Sequence, residues 1–475
     1  MNKIHLFFWI STAVLFVFLI LQGLFMDGMF ADGTQYACVS KNLAEGRGSF
    51  WFPFLSETWW KQGSNAFLEQ PPLMYALQSL FFKILGNSLF TERIYILFTA
   101  LFTGFMIHLI WREFAPLTFR NYSWLPLIFW MSIPLMSWTF KQNMQENTMG
   151  MFTISAIYFG LHSIYHKERW LVLALLTGLF IFLASLTKGI PGLFPLTIAG
   201  IAWITTGKVK FSKAAGLTLL YILVPIVIYG LLLLNETARE SLTFYFKYRL
   251  VKRVETDPVV SSHLYMLGRL LLELSPALLI TGLLYLTTTI LKVRSIPGTA
   301  ETSKTGMFFL LGLSGSLPLM LTLVQRGFYM SHSFPCFALA FAFLTAPIAD
   351  KLIRGIGPQG LLFRVVNSIM VLLLASGIIL TFVFAGKPGR NSELLSDVYV
   401  LGEILEPYRR VSCDAASYNN WPFQFYMLRY HDVYLENSSR KLDYTIVEKG
   451  TLPMDPENYE RIETGTSLFD LYIIK

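Results

Sequence analysis

The sequence predicts an α-helical polytopic membrane protein with a small soluble α/β domain at its C-terminal end. Three observations carry that expectation. Hydrophobic residues make up 54% of the 475 positions and charged residues only 14%, with a mean hydropathy of +0.51, too apolar for a water-soluble globule. The stretch from Leu6 to Phe25 is an almost unbroken apolar run, about the 20 residues a helix needs to cross the hydrocarbon core. After Phe384 the composition shifts to a turn-rich linker, Ala385-Gly-Lys-Pro-Gly-Arg-Asn391, and a polar tail.

The first run has too long an apolar region, and no small-x-small site before Asp27, to be a cleaved signal peptide. Further runs follow at 73–85, 94–110, 124–138, 150–164, 171–186, 193–205, 214–234, 264–291, 307–324, 334–348 and 365–384. Several are short or double, so about eleven to thirteen crossings are expected. Lipid satisfies no backbone polar group, so each must be a helix.

Lys and Arg in short loops set the orientation. Arg112 with Arg120, Lys167 with Arg169, and the clusters around Lys208, Lys292 and Lys351 are expected in the cytoplasm. Asp27, Asp32, Glu45, Glu57, Glu69, Glu92 and Glu146 then face the exterior. A pI near 9.2 reflects these inside loops and the membrane surface, and gives no reason to expect nucleic acid. The bilayer itself is the first partner.

Between the first two spans lies a polar connection from Met26 to Gln70, too long to be structureless. One or two short helices along the outer surface are expected here. Asp32 to Leu43 is the first candidate, with Tyr36, Val39 and Leu43 on one stripe. The aromatic pairs Trp51-Phe52 and Trp59-Trp60 suit headgroup depth. In the tail, helices are expected near 393–408 and 418–428, and strands near 410–413, 432–435, 444–448 and 468–474. Asn391 and Asn419-Asn420 offer N-caps. The division expected is 1–385 for the membrane domain and 386–475 for the exterior domain. Cys38, Cys336 and Cys413 show no metal spacing. A bridge from Cys38 to Cys413 is one option, and unpaired apolar thiols are the reading preferred.

The residues that could carry chemistry crowd one layer. Asp32 opens the proposed surface helix, where a helix N-terminus favours a carboxylate that stays ionised; an N-cap is the plainer alternative. In Glu69-Gln70-Pro71-Pro72-Leu73, the prolines stiffen the entry to the second span and hold Glu69 at its rim. Glu146 lies in a short turn between two spans, where a charge is costly without a cavity or partner. Lys188 ends a helix in the same layer: paired with a carboxylate it is structural, aimed at a phosphate it is functional. Arg249 and Arg253 fall on one helical face and could hold one anionic group. Arg326 and Tyr329 sit at another outer turn. His263 and His332 are isolated, so no metal requirement is expected.

The order of these pieces resembles a known family. Asp32 ahead of Tyr36-Ala, Glu69-Gln-Pro-Pro-Leu73, Glu92-Arg93, Glu146-Asn147, Thr187-Lys188-Gly189 and Arg326-x-x-Tyr329 before Pro335 look like the lipid-dependent GT-C glycosyltransferases. The similarity is to the aminoarabinose lipid A transferase (ArnT) branch, with the protein O-mannosyltransferases more distant, and it covers nearly the whole chain. It implies transfer of a sugar from a polyprenyl-phosphate carrier to a lipid A, glycan or protein acceptor, with inversion, on the periplasmic side of a bacterial inner membrane. It implies that Asp32 is the general base, with Glu69 and Glu146 as further acids. Lys188, Arg249, Arg253, Arg326 and Tyr329 are the candidates for the carrier phosphate, and Tyr36, Gln70, Pro71 and Pro72 shape the acceptor loop. Two departures stand out: Gly33 where the family often has an acid, and Gln70 where it often has a Lys. The competing readings are a transporter or flippase for a lipid-linked sugar, and a ligase that moves a whole glycan. Charges at the rim and no visible repeat argue against transport.

Overall fold

A computed structural model describes residues 3–59, 65–251, 258–292, 298–437 and 440–475. Among them, eight helices are long and apolar enough to cross a membrane: Lys3–Leu24, Thr91–Phe114, Trp170–Lys188, Phe211–Leu232, Tyr265–Ile290, Thr299–Leu321, Gly327–Arg354 and Leu361–Phe384. The shorter apolar helices Leu73–Leu85 and Ile190–Thr206 join the bundle, as does Gln145–Tyr165.

Proline decides where the apolar runs break. The run 124–138 becomes two short helices, Trp124–Ser132 and Pro134–Lys141. Ile133 is pushed to an extended ψ of 114°, as a residue before proline must be. The bundle core packs Trp111 against Phe343, with ring centroids 4.6 Å apart, and stacks Phe129 on Phe341.

The connection after the first span contains the expected surface helix, at Ala31–Ala44. The other described residues of that connection are irregular, tied by single bridges from Gly48 to Pro53 and from Phe54 to Ala66. Trp59 corrects the headgroup expectation: it is buried against Phe67 and Trp421, because the tail covers this loop. Trp60 lies outside the described residues.

The tail folds as a five-stranded sheet in the order β2-β1-β3-β5-β4. The strands are β1 (Arg410–Cys413), β2 (Tyr434–Glu436), β3 (Tyr444–Glu448), β4 (Tyr459–Ile462) and β5 (Phe469–Ile474). β1 runs parallel to β2 and β3, and β5 antiparallel to β3 and β4. Strand β4 is not foreseen from the sequence: it is an edge strand with only Tyr459 buried, so it carries no apolar run. Helices Ser392–Ile404 and Trp421–His431 pack on the sheet. Asn420 caps the second helix by accepting from the Phe423 N–H at 3.2 Å. Asn391 adopts a left-handed φ of 52° and makes no side-chain cap. All three cysteines are free and buried.

The tail is bound to the first loop and the bundle by polar knots. Asp27, buried at the end of the first span, accepts from Tyr399 Oη at 2.6 Å and Tyr430 Oη at 2.7 Å. Tyr426 Oη donates to the Met29 carbonyl at 2.7 Å. Lys41 pairs with Asp432 at 2.7 Å, and Arg410 with Glu57 at 2.8 Å. The Glu92-Arg93 pair belongs to this docking surface. Glu92 binds Arg429, and Arg93 donates to the Leu24 carbonyl at 3.0 Å.

Candidate functional site

Asp32 is the second residue of the Ala31–Ala44 helix, and its position is set from outside that helix. The preceding Phe30 supplies no side-chain cap. Instead its N–H donates to Gln142 Oε1 at 2.6 Å. One turn further, Asn143 Nδ2 donates to the Gly33 carbonyl at 2.8 Å and Asn143 Oδ1 accepts from Gln78 Nε2 at 2.8 Å. Asn143 is completely buried with a left-handed φ of 51°. The short connection before Gln145 therefore clamps the N-terminus that carries Asp32.

This clamp accounts for glycine at position 33. A Cβ on Gly33 would stand 1.9 Å from the Gln142 carbonyl oxygen. Backbone meets backbone there, so no side chain fits.

Glu146 occupies the second position of the Gln145–Tyr165 helix, so two helix N-termini each bring an acid to the same layer. Lys188 ends the Trp170–Lys188 helix and pairs with Glu146 Oε1 at 2.5 Å in a buried contact. Gln145 Nε2 holds the adjacent Thr187 carbonyl at 2.6 Å. The Lys188 ammonium also stands 5.0 Å from the centre of the Tyr329 ring, in the range of a cation–π contact. Tyr245 Oη packs against the backbone of Gly189, whose φ is +78°.

Tyr36 ties this cluster together. Its buried hydroxyl is pushed well above the ordinary tyrosine range by burial and then by Asp32, Tyr75, Glu146 and Tyr329, so it stays protonated. Tyr75, from the Leu73–Leu85 helix, has Glu69, Asp32, Arg249 and Tyr245 as its electrostatic neighbours. Pro71 and Pro72 are buried, and Pro72 occupies the N-cap position of that helix without a side-chain cap. Beside them Glu69 forms an ion pair with Arg249, both side chains half-buried, and Gln70 is half-buried too.

The structure thus gathers Asp32, Tyr36, Glu69, Glu146, Lys188, Arg249 and Tyr329 around one region. Arg326 is exposed just ahead of the Gly327–Ser333 turn that carries Tyr329. Arg253 lies outside the described residues. Lys188 and Arg249, both expected to take phosphate, each carry a carboxylate partner.

Among the buried polar atoms here, Glu146 Oε2, Tyr75 Oη and Arg249 Nε have no hydrogen-bond partner among the described residues. Buried polar atoms are rarely left so. A carboxylate oxygen can only accept, a guanidinium nitrogen can only donate and a hydroxyl does both, so together they suit a polar group that accepts and donates. Among the described residues, no three His, Cys, Asp or Glu side chains converge as a metal-ligand set.

Sequence reasoning missed Gln142, Asn143, Tyr75 and an interior pair on the Tyr265–Ile290 helix. In that pair, Arg269 meets Glu273 at 2.6 Å, and Glu273 Oε2 accepts from the Leu135 N–H at 2.8 Å. Arg269 also packs against Gly327. Its signal was legible: opposite charges four residues apart inside an apolar run.

Residues 69–230 match the family described as dolichyl-phosphate-mannose-protein mannosyltransferase. No curated protein sequence matches the chain. The solved structure of ArnT from Cupriavidus metallidurans bound to undecaprenyl phosphate is similar, with a TM-score of 0.65 at 13% identity over 98% of this chain and 97% of that one. Its apo form gives a TM-score of 0.62 at 14% identity, with the same coverage. The oligosaccharyltransferase AglB from Archaeoglobus fulgidus, in complex with an inhibitory peptide and a dolichol-phosphate, gives 0.51 at 13% identity over 98% of this chain and 74% of that one.

Proposed function

From a GT-C fold similar to ArnT, we propose that this chain is a membrane glycosyltransferase that takes a sugar from a polyprenyl-phosphate carrier and passes it, with inversion, to an acceptor at the outer surface. The observation that carries this reading is the set of buried atoms with no hydrogen-bond partner among the described residues, Glu146 Oε2, Tyr75 Oη and Arg249 Nε, beside a carboxylate held at a helix N-terminus. Asp32 is the base that takes the acceptor hydroxyl proton as the oxygen attacks the anomeric carbon. The carrier phosphate leaves as a stable anion, so it needs charge stabilisation more than a proton. Lys188 and Arg249 keep unused donors beyond their carboxylate partners, because an ammonium has three and a guanidinium five. Arg253, Arg326 and Tyr329 complete the proposed phosphate set. Glu69 and Glu146 orient these cations.

Residues 1–385 form the transferase domain in this reading, and 386–475 an α/β domain on the same outer side of a bacterial inner membrane. Fusions of a reporter after Lys213 and after Gly389 then report cytoplasm and exterior respectively. The decisive experiment incubates the purified protein with a panel of polyprenyl-phosphate sugars and follows donor consumption by mass spectrometry. Consumption of one donor, dependent on acceptor, supports the assignment; consumption of none overturns it.

A further inference from the structure

At the opposite end of the bundle, the structure holds a cavity with charged residues in its wall that the proposed transfer reaction does not use. It has a volume of about 520 Å³, and its charged lining residues are Glu113, Arg120, Lys208 and Lys304. Tyr165, which ends the helix that Glu146 begins, also lines it. At 1.5 Å per residue, that helix places the cavity about 29 Å from the acid cluster. It therefore opens at the far face of the membrane.

The cations here form no ion pair among the described residues. Arg120 makes no ion pair or side-chain hydrogen bond among the described residues, and its Nε is buried without a partner. Lys208 is exposed and forms no ion pair among the described residues. Lys304 donates to the Phe114 carbonyl and has Glu301 and Lys208 within electrostatic range. Glu113 is exposed, and its charge falls on Tyr158 and His162. Three cations thus border one cavity with no ion pair among them and these two acids. Phe114, Leu117 and Met307 supply apolar wall, while Thr206 and Ser303 add hydroxyls.

We infer that this cavity binds the phosphate of an anionic membrane lipid. Guanidinium and ammonium groups match phosphate oxygens, and the apolar wall suits the glycerol and upper acyl chain of a headgroup entering from the bilayer. A free phosphate ion shares the oxyanion chemistry but not the need for that wall.

The test compares wild type with Arg120→Gln/Lys208→Gln, whose side chains make no ion pair or hydrogen bond among the described residues. Native mass spectrometry of protein released from nanodiscs of phosphatidylglycerol or phosphatidylcholine reads lipid occupancy, and thermal melting verifies that the variant is folded. Wild type is expected to retain phosphatidylglycerol over phosphatidylcholine, with affinity falling about tenfold or more in the variant. Equal retention of the two lipids, or unchanged occupancy in the folded variant, overturns the inference. So does displacement of the lipid by millimolar inorganic phosphate that itself binds to lipid-free protein, since the ligand is then the aqueous ion. None of these readouts depends on sugar transfer.

Discussion

Arg429 and Glu92 meet in a fully buried ion pair, Nη2 to Oε2 at 2.7 Å and Nε to Oε1 at 3.3 Å, joining the tail helix Trp421–His431 to the bundle. Burial works against the Arg429 charge, and Glu92 outweighs it. The same guanidinium donates to the Ser88 carbonyl at 2.8 Å and to Asn87. A contact this well satisfied fixes where the tail sits over the first loop.

Arg429→Met leaves Glu92 buried without its cation. The expected loss is about 3–5 kcal/mol, read as a lower melting temperature and faster proteolysis near Gly389. Replacing Glu92 as well should recover part of the loss, and a double-mutant cycle measures how much. Strictly additive losses would show that the two residues act independently.

Asp32→Asn keeps the shape of the side chain but cannot accept the acceptor proton. Transfer is expected to fall about 10²–10⁴-fold with melting unchanged. Full activity in this variant removes Asp32 from the role of base.

Gly33→Ala drives a methyl group into the Gln142 carbonyl. Neither backbone can yield without moving the clamp on Asp32, so a destabilisation of about 1–3 kcal/mol is expected, with loss of transfer. Gly200→Ala, where a Cβ meets nothing within 4 Å, is the matched control and should be silent in both assays.

Arg249→Gln removes a charged donor while leaving Glu69 in place. Apparent affinity for the lipid donor is expected to weaken about tenfold or more, and combining it with Arg253→Gln should deepen the effect. An unchanged KM in the double variant takes both out of the phosphate site.

His431 packs against Gly402 so closely that a Cβ there would lie 2.1 Å from its ring. Burial holds its pKa below the ordinary value, with Asp432 pulling the other way. The unfolded chain therefore binds the proton first as pH falls below about 6.5. Tail stability should drop across that window, and His431→Gln should flatten the slope in melting curves taken from pH 7 to 5.

Much was determined by the sequence alone, because its signals are local. Apolar length requires helices wherever lipid is the solvent. The stripe Tyr36, Val39 and Leu43 marked the surface helix within two residues of its observed bounds, and alternation marked β1 and β3. The acids and cations of the candidate site were legible as charges with no reason to be at a membrane rim. Tertiary structure decided the rest, because it depends on groups distant in sequence. Lys188 acquired Glu146 and Arg249 acquired Glu69 only through packing. Gly33 gained its reason only when the backbone at Gln142 arrived against it. Glu92 looked like part of the reacting order, yet its partner stands 337 residues away, in the tail. A buried charge chooses its partner by desolvation and reach, and neither is written in the residues beside it.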